Sequence, residues 1–298
     1  MTRRGWLLFI ALGVVWGMPY LLIRIAVGSI DPLVVAGSRT LIGALLLLPV
    51  ALHRNALAAA FRHWKWLLAF TLIEISVPWV LLGHAETRLN SSTAGLLIAI
   101  VPLFAALIVT RLGHERLESR RLLGLGLGFA GVALLVGLDI HFSDLLAVAA
   151  TIAVALCYAV GPIIIDRKLK DVPAIGVITG SLILATLVYA PFAPFLWPKE
   201  LHADAVASVV GLGVLCTAGA FLIFFELIAT VGPARATVIT YINPAVAIIL
   251  GALVLSEPLT AGMMIGFPLV ILGSWLGTTR TAAPKPAAAA AVARQASS

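Results

Sequence analysis

Two charged side chains lie inside long apolar stretches of the sequence, where a charge requires a partner or a function. Arg39 stands about eight residues into a stretch that begins at Pro32, and Glu74 about ten residues into one that begins at Trp64. At a helical rise of about 1.5 Å per residue, both would lie near the middle of an apolar layer of about 30 Å. Three chemistries fit this position: Arg39 binds a carboxylate, Glu74 takes up and releases a proton, or the two form a structural ion pair.

Two further titratable residues lie near the ends of apolar stretches. His84 is near the end of the stretch that holds Glu74, and Glu226 is near the end of a later one. Histidine titrates close to neutral pH, so a proton relay is one interpretation. The other is a side chain that reaches the polar surface of a bilayer. Glu74, His84 and Glu226 are therefore the candidates for proton coupling.

Aromatic side chains lie at a depth similar to that of the two charges. Trp16 and Trp79 are in mid-stretch, whereas the other Trp residues are near stretch ends, as in the aromatic belts of membrane proteins. An aromatic wall binds apolar parts of a solute by stacking, and plain helix packing is the alternative. Asn243 adds an uncharged group for an amine or a carboxylate. The predicted substrate-binding cavity comprises Trp16, Tyr20, Arg39, Glu74, Trp79, Tyr158, Tyr241 and Asn243.

Several prolines interrupt the apolar stretches. Each removes one helical hydrogen bond, which gives a static kink, a hinge, or unwound backbone beside a cavity. When the second half of the chain is laid on the first, Pro102 meets Pro244, and in the neighbouring register Pro19 meets Pro162. Because matched prolines let two halves of a chain move alike, we predict that these four are hinge or gating residues.

The sequence lacks the patterns of a cofactor site, a metal site or an intramembrane enzyme. Residues 126–131 fit Gly-x-Gly-x-x-Gly, but they lie inside an apolar stretch without the strand that a dinucleotide site needs. Close helix packing explains these small residues better. The two cysteines, Cys157 and Cys216, both lie in apolar stretches, and His-Glu-x-x-His is absent. We therefore expect no cofactor, no metal and no catalytic residue.

Composition places the chain in a membrane. Hydrophobic residues make up 61% of the 298 residues and charged ones only 11%, whereas about 25% of an average soluble domain is charged. Apolar stretches of about 20 residues, long enough to cross a bilayer as helices, recur along the chain. They leave no room for a soluble domain. The ten stretches are 5–26, 32–52, 64–84, 91–112, 121–138, 144–165, 173–196, 203–228, 234–255 and 261–279.

The basic residues indicate an orientation. With the N-terminus inside, 16 of the 20 Lys and Arg fall on the inner side, three fall in outer loops, and Arg39 lies within a span. This bias follows the positive-inside rule, so both termini are predicted to be cytoplasmic. The net charge of +7 is then a topology signal and no sign of nucleic-acid binding. We expect a multi-pass protein of a bacterial inner membrane whose partners are the lipid bilayer and a small solute, and no pattern requires more than a monomer.

The chain repeats itself. Segment 94–134 aligns without gaps on segment 236–276, with Pro, Glu and Gly in one register, for example Glu115 on Glu257. Each half holds five spans, and because five is odd the halves have opposite orientations. Such an inverted repeat is typical of secondary transporters. The predicted units are 1–141 with spans one to five, 142–280 with spans six to ten, and a disordered cytoplasmic tail over 281–298.

The repeated segments carry a family resemblance. Segment 94–136 opens with a small residue, has a proline within its span, then Glu115-Arg116-Leu117, then a glycine-rich span, and the second half repeats most of this pattern. From residue 5 to about 279 the chain resembles EamA-type transporters of the drug/metabolite transporter superfamily. It looks most similar to YddG-type bacterial exporters. The resemblance implies that aromatic and other amino acids are carried outward.

The predicted fold class is an all-α polytopic membrane protein with ten transmembrane helices in two inverted five-helix repeats. The predicted function is export of amino acids, aromatic ones and a broader range, by alternating access through a central cavity between the repeats. The alternatives are export of another small metabolite or drug and, in other classes, a channel or an intramembrane enzyme. The sequence leaves open whether transport is proton antiport or facilitated diffusion.

Overall fold

The computed structural model describes residues 2–111, 119–231, 239 and 241–278, and every regular element in these ranges is helical. Seven of these helices are long and apolar enough to cross a membrane, and three more are shorter apolar helices. Each overlaps one predicted span; residues 234–238, where the ninth was predicted to begin, and the predicted tail lie outside the described ranges. The helices are α1 Arg3–Ala26, α2 Pro32–His53, α3 Trp64–Glu86, α4 Ser91–Arg111, α5 Ser119–Asp139, α6 Phe142–Leu169, α7 Ala174–Tyr189, α8 Ala203–Val231, α9 Asn243–Val254 and α10 Ala261–Thr278.

Polar side chains fix where several helices begin. The Asp31 carboxylate accepts a hydrogen bond of 2.9 Å from the main-chain N–H of Leu33, and Pro32 occupies the first turn of α2, where its missing N–H costs nothing. At α10, the Thr260 hydroxyl accepts from the N–H of Met263 at 3.2 Å and donates to the Asp139 carboxylate at the end of α5. The first of these caps fixes the start of the helix that holds Arg39.

Two long helices widen into π-helical turns at equivalent positions of the repeat. The widened segment is Thr71–Ser76 in α3 and Val214–Gly219 in α8, and the register that aligns Pro19 with Pro162 lays one segment on the other. In α3, Pro78 offers no N–H to the carbonyl of residue 74, which favours a local change of register. Such π-helical turns occur frequently at functional sites.

Predicted hinge prolines coincide with breaks in two other helices. A turn at Ala99 and Ile100 divides α4 just ahead of Pro102. In α6, Pro162 precedes a π-helical segment, Ile165–Leu169. A proline removes one helical hydrogen bond and its ring crowds the preceding turn, which accounts for the break in α4; the widened end of α6 lies beyond the turn that Pro162 crowds.

The two halves of the chain share their apolar cores. One cluster joins Tyr20 of α1 and Ala94 of α4 with Leu212 of α8 and Ala247 of α9. A second joins Leu103 of α4 with helix α10. Because the residues of each half are buried by the other, groups at this interface are shielded from the surrounding lipid, as polar groups inside a membrane must be.

Helices α5 and α10 pack with their backbones in contact. A Cβ atom built on Gly131 would lie 2.8 Å from the main-chain oxygen of Gly266, and one on Gly266 would lie 2.8 Å from the main-chain oxygen of Gly131. Small residues permit this approach, which membrane helices commonly use. Gly126, in the same glycine-rich segment, has no heavy atom within 4 Å of its Cβ position and therefore faces open space.

This difference gives a prediction for stability. Gly131→Leu is expected to force α5 from α10, which costs about 1–3 kcal/mol as overpacking and lowers the apparent Tm by about 2–5 °C. The matched control is Gly126→Leu on the same helix, for which we expect a change of less than about 1 °C because nothing is displaced. Thermal unfolding of both variants in detergent, followed by fluorescence, is the measurement. Equal Tm values for the two variants would contradict the packing described here.

Candidate functional site

Arg39 is buried between helices of both halves. Its side chain is 8% exposed, its guanidinium carbon lies 3.7 Å from the ring centre of Trp79 on α3, and its Nε donates a hydrogen bond of 2.9 Å to Oγ1 of Thr217 on α8. Cation–π attraction holds a guanidinium on an aromatic face and leaves its in-plane donors available. Within the described residues, no carboxylate pairs with Arg39. The site therefore suits a planar anion such as a carboxylate.

Aromatic groups surround the guanidinium. Tyr20, Tyr158 and Tyr189 all lie within electrostatic range of Arg39. The Tyr158 hydroxyl on α6 also accepts a hydrogen bond from the indole N–H of Trp79. The structure thus brings together Arg39, Trp79, Tyr20 and Tyr158, which were predicted for one cavity, and it adds Tyr189 and Thr217, which were not.

The π-helical turn of α8 places Thr217 against Arg39. The Thr217 hydroxyl donates a hydrogen bond of 2.8 Å to the main-chain oxygen of Leu212, so its lone pair is left for the Arg39 Nε. Gly43, one helical turn after Arg39, makes room: a Cβ there would lie 2.7 Å from Cγ2 of Thr217. Thr217 is also the repeat counterpart of Glu74 in the register that matches the two π-helical turns, and this equivalence is a signal that could have identified it.

Tyr189 ties α7 to the same region of α3. Its hydroxyl donates a hydrogen bond of 2.7 Å to the main-chain oxygen of Ser76, at the end of the π-helical turn. Widened helices leave carbonyls without their usual partners, and this bond satisfies one of them. Tyr189 thereby supports the segment that leads to Trp79.

Glu74 lies on the π-helical turn of α3 and does not pair with Arg39. Its Oε2 atom is buried and has no hydrogen-bond partner among the described residues. The carboxyl group packs against Gly161 of α6, where a Cβ atom would overlap it. The ion pair found in the described ranges joins Arg4 and Glu226 instead. The interpretation of Arg39 and Glu74 as a structural ion pair is therefore wrong.

The other two candidates for proton coupling lie away from this cluster. The His84 side chain is exposed, and its Nδ1 is 2.9 Å from the main-chain oxygen of Val80 on the same helix. Glu226 lies 2.6 Å from Arg4, and their side chains are 45% and 71% exposed. These surroundings favour the interfacial interpretation for both residues.

Of the three remaining predicted cavity residues, Trp16 and Tyr241 take part in other contacts and Asn243 does not pair through its side-chain oxygen. Trp16 packs on the aromatic rings of α8, with 4.9 Å between its ring centre and that of Phe224. The Tyr241 hydroxyl donates a hydrogen bond of 3.3 Å to the main-chain oxygen of Ser274 on α10. Asn243 begins α9, and its buried Oδ1 has no partner among the described residues. Of the three, Asn243 keeps an acceptor that a solute can use.

A carboxylate bridges the two halves at one end of the bundle. One oxygen of Glu257, in the loop from α9 to α10, accepts from the N–H and hydroxyl of Ser91 at 2.8 and 2.9 Å. The other accepts from the N–H and hydroxyl of Ser92 at 3.0 and 2.5 Å. These donors belong to the first turn of α4, and the dipole of the helix favours a negative charge at this end. We call Glu257, Ser91 and Ser92 the Glu257 latch; the repeat partner of Glu257, Glu115, lies outside the described residues.

Among the described residues, the side chains that commonly bind metals are dispersed. In the ranges that the structure describes, no three His, Cys, Asp or Glu residues are grouped closely enough to hold a metal ion. Cys157 and Cys216 are free thiols on α6 and α8. The chemistry of the site is therefore that of a buried cation, aromatic rings and isolated carboxyl groups.

A multi-pass helical protein with this site between two repeats falls in the class of membrane transporters. The chain belongs to the EamA-like transporter family, whose model matches residues 3–137 and again residues 145–279. A solved crystal structure covers 93% of this chain and 98% of its own, with a TM-score of 0.67 and 20% identity, and it supports the fold.

Its relatives are transporters from bacteria and archaea. The uncharacterized transporter YvbV of Bacillus subtilis (strain 168) is 29% identical over 95% of this chain and 94% of its own. The uncharacterized inner membrane transporter YedA of Escherichia coli (strain K12) is 29% identical over 81% of this chain and 79% of its own. A probable terminal-alkyne amino-acid exporter of Streptantibioticus cattleyicolor is 26% identical over 70% of each chain. The repeat and the transporter class predicted from the sequence accord with these likenesses.

Proposed function

We propose that this protein is a secondary transporter that exports amino acids by alternating access through a central cavity between its two repeats. The observation that carries the proposal is the Arg39 guanidinium, stacked on Trp79 of the first half and bonded to Thr217 of the second. Secondary transporters with inverted repeats bind solutes near the bilayer midplane, where the repeats meet. A group held by both halves changes its surroundings whenever the halves move.

An α-amino acid matches the groups around Arg39. Its carboxylate pairs with the guanidinium, and the rings of Trp79, Tyr20 and Tyr158 offer a stacking surface to an aromatic side chain. Oε2 of Glu74 and Oδ1 of Asn243 are buried without a partner among the described residues, and we propose one of them as the acceptor for the ammonium group. The relative named as an amino-acid exporter supports this substrate class, and the resemblance to YddG-type exporters adds the preference for aromatic amino acids and a broader range beside them.

The proposed topology has ten spans with both termini in the cytoplasm of a bacterial cell. Residues 1–141 form the first repeat, 142–280 the second, and 281–298 a tail. The distribution of Lys and Arg supports this orientation, and a relative called an inner membrane transporter supports the compartment. In this topology the Glu257 latch lies on the outer side of the membrane.

We propose that four prolines act as hinges in the motion between the two access states. α4 is broken ahead of Pro102, and Pro244 lies in the first turn of α9. Pro19 lies inside α1, and Pro162 precedes the widened end of α6. A proline inside a helix weakens it locally, and a proline in the first turn marks where a helix begins, so bending at these positions moves the helix ends with little cost to the rest of the fold.

Facilitated diffusion and proton antiport are the two alternatives for how transport is driven. Of the three candidates named from the sequence, Glu74 has the surroundings that suit a proton carrier, since its Oε2 is buried without a partner among the described residues. His84 and Glu226 are exposed and have local partners. We place Glu74 first for this role.

The test is transport by purified protein in liposomes. We expect saturable exchange of labelled phenylalanine above that of empty liposomes, and competition by other amino acids. Accumulation driven by an imposed pH gradient would select proton antiport over facilitated diffusion. Failure of every amino acid to exchange would overturn the proposal in favour of another metabolite or drug, and flux that does not saturate would favour a channel.

A further inference from the structure

Glu86, the last residue of α3, is a carboxyl group that the proposed function does not yet use. Its exposed fraction is 0%, and neither carboxylate oxygen has a hydrogen-bond partner among the described residues. Burying an ionised carboxylate without donors costs several kcal/mol even after the surroundings relax. A protonated carboxyl avoids most of this cost.

The charged and titratable groups around Glu86 come from three parts of the chain: α1, α2 and the loop after α9. Arg24 of α1 donates a hydrogen bond of 2.5 Å from Nη1 to the main-chain oxygen of Glu86, so it stands beside the carboxyl group without pairing with it. Glu257 of the latch, Arg39 of α2 and Tyr20 of α1 lie within electrostatic range. A second negative charge beside Glu257 would be repelled by it.

The Glu257 latch closes the region that contains Glu86. The latch joins the start of α4, which follows Glu86 after a short loop, to the loop between α9 and α10. Gly251 of α9 is packed against it, since a Cβ there would lie 2.9 Å from the Ser91 hydroxyl. Opening the outer side requires these groups to separate, and separation admits water to Glu86.

We propose that Glu86 is a proton-binding site that is occupied when the Glu257 latch is closed. This inference rests on the proposed transport function and adds a group to it. When the latch opens, the O–H bond of the carboxyl breaks, the proton passes to water, and the carboxylate exchanges into an ion pair with Arg24, which is already adjacent. Closure reverses these steps and takes up one proton.

The first test is the pH dependence of phenylalanine exchange with equal pH on both sides of the liposome. Because closure needs a proton at Glu86, the wild-type rate is expected to fall at alkaline pH, by up to about tenfold per pH unit. Glu86→Gln, which mimics the protonated group, is expected to retain exchange and to vary less than about twofold over the same range. Glu200→Gln, in an exposed loop, is the matched control and should keep the wild-type profile. A Glu86→Gln profile like that of the wild type would overturn the proposal.

A second measurement does not depend on transport. Infrared spectra of the protein in detergent at neutral pH should contain the band of a protonated carboxyl group, and Glu86→Gln should weaken it while Glu200→Gln should not. Glu74→Gln, recorded separately, accounts for the other buried carboxyl. An unchanged band in Glu86→Gln would overturn the proton site. Absence of exchange in the wild type, with the band lost in Glu86→Gln, would overturn the transport function and leave the proton site in place.

Discussion

Arg39→Ala is expected to raise the half-saturating concentration for phenylalanine export about 100-fold. The guanidinium is the buried cation of the site, and its in-plane donors face no carboxylate of the described residues. A hydrogen-bonded charge pair with a substrate carboxylate contributes about 1.5–3 kcal/mol, which corresponds to roughly 10- to 150-fold in affinity. Loss of the cation also removes the partner of the Trp79 ring. Exchange kinetics in liposomes measure the effect.

Three comparisons make this prediction specific for the carboxylate. Arg39→Lys keeps the charge but loses the planar fork, so an intermediate loss of about tenfold is expected. Arg54→Ala, at the exposed end of the same helix, should behave as the wild type. Phenylethylamine, which lacks the carboxylate, should compete equally well in the wild type and in Arg39→Ala. A variant without Arg39 that keeps wild-type affinity for phenylalanine would remove the guanidinium from the site.

The sequence predicts a depth for the candidate residues, which stays a prediction, but it could not predict the partners of these residues. Counting residues from the start of an apolar stretch places Arg39 and Glu74 at mid-depth, because helical rise is constant. Which residue faces Arg39 depends on how each helix is rotated. The π-helical turn of α8 shifts that rotation and directs Thr217 toward the guanidinium. The repeat alone leaves the choice open, since Glu74 meets Cys216 in one register and Thr217 in the next.

The burial of side chains at the ends of the bundle also could not be predicted from the sequence. His84 and Glu86 lie close together near the end of one apolar stretch, and both fit an interfacial position on pattern alone. In the structure His84 is exposed, whereas Glu86 is fully buried, with Arg24 of α1 bonded to its main-chain oxygen and Glu257 of the loop after α9 within electrostatic range. The burial of Glu86 depends on contacts between the two halves, which are far apart along the chain. No local sequence pattern indicates such contacts. Contacts of the same kind define the role of Glu257. The internal repeat aligned Glu257 with Glu115 but did not show what Glu257 binds.

Glu257→Ala is expected to shift the protein strongly toward the state that is open on the side of the latch. The substitution removes all four hydrogen bonds to Ser91 and Ser92 and leaves two main-chain N–H groups of α4 without their acceptor. Hydrogen bonds to a charged group contribute about 1.5–3 kcal/mol each and do not add fully. We therefore expect the closed state to lose about 3 kcal/mol of stability relative to the open state. That loss corresponds to about 100-fold in the ratio of closed to open protein.

Cys216 provides the measurement. It lies within range of Arg39 and is 1% exposed, and with Cys157 replaced by serine it is the remaining thiol of the chain. An impermeant thiol reagent added outside intact cells reaches it only when the latch side is open, so its labelling rate should rise about 100-fold in Glu257→Ala. Ser91→Ala with Ser92→Ala keeps the two N–H donors and should give about tenfold, and Glu200→Ala should give no change. Because all variants carry the same thiol, its intrinsic reactivity cancels; equal labelling rates in Glu257→Ala and the control would show that the latch does not hold the outer side closed.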